Sequence, residues 1–172
     1  LFNWRPPALF LFVAWVPEVA RAILALLALA VLAGTVSFGR TVPLSLSVIM
    51  LAVQVGAVVP GLIPQGVYLP EAWAGLLIAL SVLAYHRQMP VAGAVSAVLA
   101  AFARDLAAPY LIVCLLLTND RRWLLAGSAL LASYYGWHAA QVFALIPPDA
   151  QSHPSWLAFG GWPFIISTVQ AS

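Results

Sequence analysis

Charge is what this 172-residue chain has least of: 7% of its residues are Asp, Glu, Lys or Arg, against about 25% in an average soluble domain. Seven basic and five acidic side chains leave a formal charge of +2. That is no basic patch, so a nucleic-acid partner is excluded despite a pI of about 9.0. Cysteine is nearly absent too. Cys114 stands alone, which excludes an intramolecular disulfide framework and any multi-cysteine metal site. HExxH, Walker and GxGxxG motifs are missing, as is any Ser-His-Asp spacing. What fills the chain is apolar: 64% hydrophobic residues and a mean hydropathy of +1.01. An ordinary soluble globule is about 45–50% apolar, so lipid is the solvent that suits this composition.

The apolar runs are divided by short polar punctuation. Ala8–Val16, bracketed by Pro6-Pro7 and Pro17, reads as a short interfacial or re-entrant helix. Glu18–Phe38 is a full span closed by Gly39-Arg40. Pro43–Val59 is expected to stop at Pro60-Gly61, with a loop over Gly61–Pro70. Glu71–Tyr85 stops at His86-Arg87-Gln88, and Trp123–Ile146 is a full span stopped by Pro147-Pro148. Between them, Pro90–Leu117 is either one helix of about 42 Å, long for a hydrocarbon core of about 30 Å, or a hairpin turning at Arg104–Pro109. The hairpin gathers Arg40, Arg87, Arg121 and Arg122 on one face and leaves Arg5, Arg21 and Arg104 toward the other. That follows the positive-inside rule, so the four-arginine face is expected to be cytoplasmic. The longer outer segments hold Trp4, Tyr68, Trp73, Tyr110, Trp156 and Trp162, expected at the membrane interface. The fold expected is therefore all-α, a polytopic transmembrane bundle with short or broken helices, forming one domain over 1–172. The chain opens without Met and ends inside a new apolar run at Trp162–Val169. It is expected to be an internal piece of a longer protein, the rival reading being a processed small subunit.

Charge inside hydrocarbon is costly, so intramembrane ionisable groups are functional candidates. Arg104-Asp105 is the sharpest. A guanidinium there can bind phosphate oxygens in bidentate fashion; the plainer reading is a pair that closes a turn. Glu71 opens a helix after Pro70, where a carboxylate favours the macrodipole, so it reads as a cap or as the rim of an outer cavity. Glu18 and Arg21, at i,i+3, read as a local pair. Asp120 beside Arg121-Arg122 reads as a solvated turn. Tyr134, His138 and Gln141 form a polar stripe on one helix face, more often interhelical glue than a ligand set. The three histidines, His86, His138 and His153, have no metal-binding spacing. Cys114, among Ile112, Val113 and Leu115, reads as an inert core thiol.

Four stretches carry a resemblance. They are Phe2-Asn3-Trp4-Arg5-Pro6-Pro7, then Tyr68-Leu69-Pro70-Glu71-Ala72-Trp73-Ala74-Gly75, then Arg104-Asp105-Leu106-Ala107-Ala108-Pro109-Tyr110-Leu111, and Trp156-Leu157-Ala158-Phe159-Gly160-Gly161-Trp162-Pro163-Phe164. In that order they resemble bacterial polytopic proteins of cell-surface glycopolymer formation, which are similar to GT-C glycosyltransferases. Asp105 stands where that pattern often has Glu, which keeps the carboxylate and shortens its reach. The resemblance implies a protein of the bacterial inner membrane that uses a polyprenyl-phosphate-linked sugar at the outer face. Arg104 and Arg5 are then expected on phosphate, with Asp105 beside them and Glu71 and His138 lining the cavity. The family's catalytic carboxylate lies in a first outer loop that falls before Leu1, so it is expected outside this chain. No cofactor is certain; a divalent metal in the complete enzyme is compatible with the resemblance. Membrane lipid, the sugar donor and other membrane subunits are the expected partners. A non-enzymatic accessory subunit of a larger membrane complex is the alternative function.

Overall fold

The computed structural model describes residues 8–144, and all regular structure among them is helical. Seven α-helices follow one another: α1 Ala8–Trp15, α2 Pro17–Gly39, α3 Leu44–Leu62, α4 Pro70–His86, α5 Pro90–Ala103, α6 Ala108–Leu117 and α7 Arg122–Ala144. Short 3₁₀ turns occupy Pro64–Tyr68 and Asp105–Ala107. Proline marks most of the starts. Pro17, Pro70, Pro90 and Pro109 stand in the first turns of α2, α4, α5 and α6, where the missing N–H would have had no helical acceptor anyway.

The stops have individual causes. After α2, the Thr41 N–H bonds the Phe38 carbonyl at 2.9 Å, and the Ser47 hydroxyl bonds the Gly39 carbonyl at 2.6 Å. α4 closes on Gln88 at φ 58°, with the Met89 N–H reaching the Ala84 carbonyl at 2.9 Å. This is the six-to-one closure of a Schellman end, here with Gln in the left-handed position that glycine usually takes. α5 breaks at Arg104, whose backbone is extended. The Asp105 carboxylate then accepts the Leu106 N–H at 3.0 Å and the Ala107 N–H bonds the Arg104 carbonyl at 2.9 Å, which forms the turn into α6.

One boundary departs from the sequence reading. α3 does not stop at Pro60-Gly61 but runs to Leu62. A proline in a final turn forfeits a single backbone bond, too little to end a helix by itself. The stop comes instead at Ile63, extended ahead of Pro64, as the residue before a proline prefers. Part of the expected loop is the 3₁₀ turn Pro64–Tyr68.

α4 is the central element. Its Ala74 and Leu77 enter one core with Ala97, Ala100 and Ala101 of α5, Leu111 and Cys114 of α6, and Leu124 and Leu131 of α7. Its Trp73 and Leu76 enter a second core with Val13 of α1, Leu24, Ala28 and Val31 of α2, Val58 of α3 and Val67. α5 buries a face of small residues, Gly93, Ala94, Ser96, Ala97, Ala100 and Ala101, which lets its neighbours approach closely. A Cβ added at Gly93 would lie 2.8 Å from the Tyr85 ring.

The helix ends gather at two poles. At one, the Phe38 and His86 rings meet edge-on with centroids 4.5 Å apart. A cavity there is lined by Tyr85, Gln88 and Pro90 on one side and Leu117, Thr118, Asn119 and Asp120 on the other. The α6–α7 turn has therefore come back beside the α4–α5 turn. Pro90–Leu117 is a hairpin, and Arg40, Arg87, Arg121 and Arg122 share this pole. The opposite pole holds α1, the Pro64–Tyr68 turn, the start of α4 and Arg104. There Phe12 meets Trp73 edge-on at 6.3 Å, and Trp73 Nε1 donates to the Val67 carbonyl at 2.9 Å.

Among the described residues, one helix is both long and apolar enough to cross a membrane by itself: α2, near the N-terminus. α7 has the length, 23 residues, but carries Ser128, Ser133, Tyr134, Tyr135, His138 and Gln141. Two of the expected interfacial aromatics, Trp73 and the partly buried Tyr110, turn their polar tips to protein. Trp73 is only 5% exposed, and the Tyr110 hydroxyl donates to Ser81 at 3.0 Å. Their polar tips bond protein acceptors, so they pack inward.

Candidate functional site

Arg104 lies where α5 breaks, and the break points its side chain across to the start of α4. Arg104 Nη1 is 3.1 Å from Glu71 Oε1, and Arg104 Nε is 3.9 Å from Asp105 Oδ1. The arginine side chain is 15% exposed, whereas those of Glu71 and Asp105 are 58% and 55% exposed. The cation is the inner member of the cluster and the two carboxylates are its solvent side. Arg104 Nε and Nη1 are shielded, yet neither makes an aligned hydrogen bond among the described residues. The contact to Glu71 is Coulombic in distance and poor in angle, so the guanidinium keeps donor capacity. Buried donors of this kind call for an explanation.

Beside the cluster is an apolar slot of about 300 Å³ between α1, α2, α4 and α5. Leu9 and Phe12, Ile23 and Leu27, Trp73 and Leu77, and Leu99, Phe102 and Ala103 form its walls. Ala103 of its wall immediately precedes Arg104, so the slot adjoins the cluster along the chain, although none of the three charged side chains lines it.

The structure thus brings together three of the expected site residues, Glu71, Arg104 and Asp105. Glu71 makes no side-chain cap on α4; its partner is Arg104. His138 lies further along α7. Its ring is parallel to that of Tyr134, with centroids 6.5 Å apart, and Tyr134 packs 4.7 Å from Phe102 in the slot wall. The row Phe102, Tyr134, His138 connects the histidine to the slot without touching Arg104. His138 Nε2 is shielded and makes no hydrogen bond among the described residues. An interhelical bond on α7 is made by Tyr135, whose hydroxyl donates to the Ala101 carbonyl at 3.2 Å. Arg5, Trp4, His153 and the Trp156–Trp162 stretch lie outside the described residues. The local pair Glu18–Arg21 is formed at 2.6 Å, Asp120 pairs with Arg122 at 3.1 Å, and Cys114 is buried and free.

Sequence reasoning missed a second polar cluster. Tyr110 donates to Ser81, and Ser81 donates to the Gly93 carbonyl at 2.7 Å, tying α6, α4 and α5 together. Ser81 has no sequence signal beyond being one hydroxyl in an apolar helix.

A divalent metal does not fit here. Among the described residues no three His, Cys, Asp or Glu side chains are placed to hold one, and both carboxylates of the cluster face a cation. Compared with family models, curated proteins and solved structures, the chain matches none of them.

Proposed function

We propose that this chain is the membrane-embedded helical part of a glycosyltransferase-like protein of the bacterial inner membrane, and that Arg104 holds the phosphate of a polyprenyl-phosphate-linked sugar. The observation that carries the reading is a shielded guanidinium with donor capacity left over, one residue along the chain from the wall of an apolar slot. Arginine's planar fork suits phosphate oxygens, and the slot suits the first isoprenoid units. Sugar transfer itself rests on the resemblance of the Arg104–Leu111 and Tyr68–Gly75 stretches.

In this reading α2, α3, α4, the α5–α6 hairpin and α7 form a polytopic bundle. The pole with four arginines faces the cytoplasm, and the Arg104 pole faces outward. A phosphate on the Nε–Nη2 edge shares the guanidinium with Glu71, which faces Nη1. The exposed Glu71 carboxylate then lies within reach of a sugar hydroxyl, and His138 stands behind Tyr134 on the far side of the slot. Deprotonating the acceptor hydroxyl requires a general base, which is expected from a segment outside the described residues.

The test is binding of a polyprenyl phosphate to the full chain in nanodiscs, with Arg104→Gln and Arg104→Lys beside the parent. Losing a charge-assisted bidentate contact of roughly 1.5–3 kcal/mol weakens binding about ten- to a hundredfold in Arg104→Gln. Arg104→Lys recovers only part, since an ammonium cannot reproduce the fork. Equal binding by all three overturns the phosphate role. If Arg104→Ala in the complete protein leaves glycopolymer synthesis intact, the accessory-subunit reading takes its place.

A further inference from the structure

A second groove lies at the opposite pole, between α2 and α3. It encloses about 380 Å³, and its walls include Val36, Val42, Leu44, Val48 and Leu51, with Arg40 at the edge. The polar groups in it are committed elsewhere. The Thr35 hydroxyl donates to the Val31 carbonyl at 2.9 Å, and the Ser47 hydroxyl donates to the Gly39 carbonyl at 2.6 Å. What remains to meet a ligand is aliphatic wall and one guanidinium.

Arg122 pairs with Asp120 and Arg121 bonds the Thr118 carbonyl. Arg40, like Arg87, is exposed and pairs with no carboxylate among the described residues, but of the four it is Arg40 that lines this groove. Its height is also fixed. Arg40 directly follows Gly39, the last residue of the helix that is long and apolar enough to cross a membrane, so with α2 in a bilayer it stands at headgroup level.

We infer that the α2–α3 groove binds an anionic phospholipid, one acyl chain lying along Val36, Leu44, Val48 and Leu51 and the phosphate on Arg40. Charge selects the lipid. A zwitterionic choline head brings a second cation, for which this turn offers no carboxylate. A phosphatidylglycerol head brings only the anion. The inference rests on α2 lying in a membrane, as the proposed function does, but not on sugar transfer or on Arg104.

The experiment is lipid binding to the full chain by native mass spectrometry from detergent, with phosphatidylglycerol against phosphatidylcholine. The parent is expected to retain phosphatidylglycerol preferentially. Arg40→Gln lowers that retention about fivefold, as removing one basic residue at an anionic surface does. Val48→Trp, which fills the groove, lowers retention of both lipids. Arg121→Gln removes the same charge at the same pole, beside α6 and α7, and leaves retention unchanged. Far-ultraviolet circular dichroism checks that each variant keeps its helices. No preference in the parent, or equal losses in Arg40→Gln and Arg121→Gln, overturns the groove as the site. Either result with Arg104-dependent polyprenyl-phosphate binding intact leaves the proposed function standing.

Discussion

Arg104 carries a cation into a largely shielded position, and Glu71 supplies most of its counter-charge. Because the Glu71 side chain is more than half exposed, water screens the pair, and Glu71→Gln is expected to cost about 1 kcal/mol or less of stability. Its effect on binding is of another kind. Polyprenyl phosphate is held as tightly as by the parent, or more so, because the carboxylate no longer competes for the guanidinium. The advantage of the sugar-bearing donor over bare polyprenyl phosphate is lost. Titrating both lipids against Glu71→Gln separates a rim that reads sugar from a plain salt bridge: no change in either would make Glu71 only a structural partner. Both residues are visible in the sequence, each as an isolated charge against an apolar background. Their pairing is not, because 32 residues and a helix break lie between them. The position of Glu71 after Pro70 favours a cap, and nothing local announces that a guanidinium arrives from α5. His138 is legible as polar and interior; that its ring lies parallel to Tyr134 is not.

Between elements, small residues and a few hydroxyls decide how closely α4, α5 and α6 meet. Ser81 sits between the Tyr110 hydroxyl and the Gly93 carbonyl. Tyr110→Phe removes one neutral hydrogen bond and is expected to cost about 0.5–1.5 kcal/mol. Ser81→Ala is expected to cost more, about 1–3 kcal/mol, because it leaves a buried phenol without its acceptor. The double variant should recover part of that loss, so reversible unfolding in mixed micelles reads the coupling directly, and strictly additive losses would deny the network. Gly93→Ala sets a methyl group against the Tyr85 ring. The ring must move or the helices part, at about 1–3 kcal/mol in the same assay. Helix positions were readable because prolines open four of the seven and short polar groups close them. The end of α3 was not, since Pro60 falls in a last turn that tolerates it. The inward packing of Trp73 and Tyr110 was equally hidden: an amphipathic ring reads as interfacial until a protein acceptor for its polar tip is known.

Across the whole molecule, the six arginines among the described residues divide by pole, and the hairpin is what makes the division. The sequence held this in the charges alone, since only a fold-back at Arg104 sets Arg87 beside Arg121 and Arg122. Substituted-cysteine labelling tests it in cells. Cys114 is buried and shielded from an aqueous thiol reagent, so the native thiol leaves a low background. Cysteines at Thr41, Gln88 and Asn119 are expected to react with a membrane-impermeant thiol reagent from one side, and those at Tyr68 and Leu106 from the other. Labelling of the Gln88 and Asn119 positions from opposite sides would restore a single crossing. The hairpin also bears on the order of assembly. α5 and α6, with 14 and 10 residues, rise about 21 Å and about 15 Å, each well short of a hydrocarbon core of about 30 Å. Neither is long enough to be retained in a bilayer alone, and both pack against α7, which is synthesised after them. A chain ended at Leu117 is therefore expected to leave α5 and α6 open to protease although α2 anchors it, while one extended past Ala144 protects them. The pocket around Arg104 is then among the last parts of the protein to exist, completed only when a later helix locks an earlier hairpin in place.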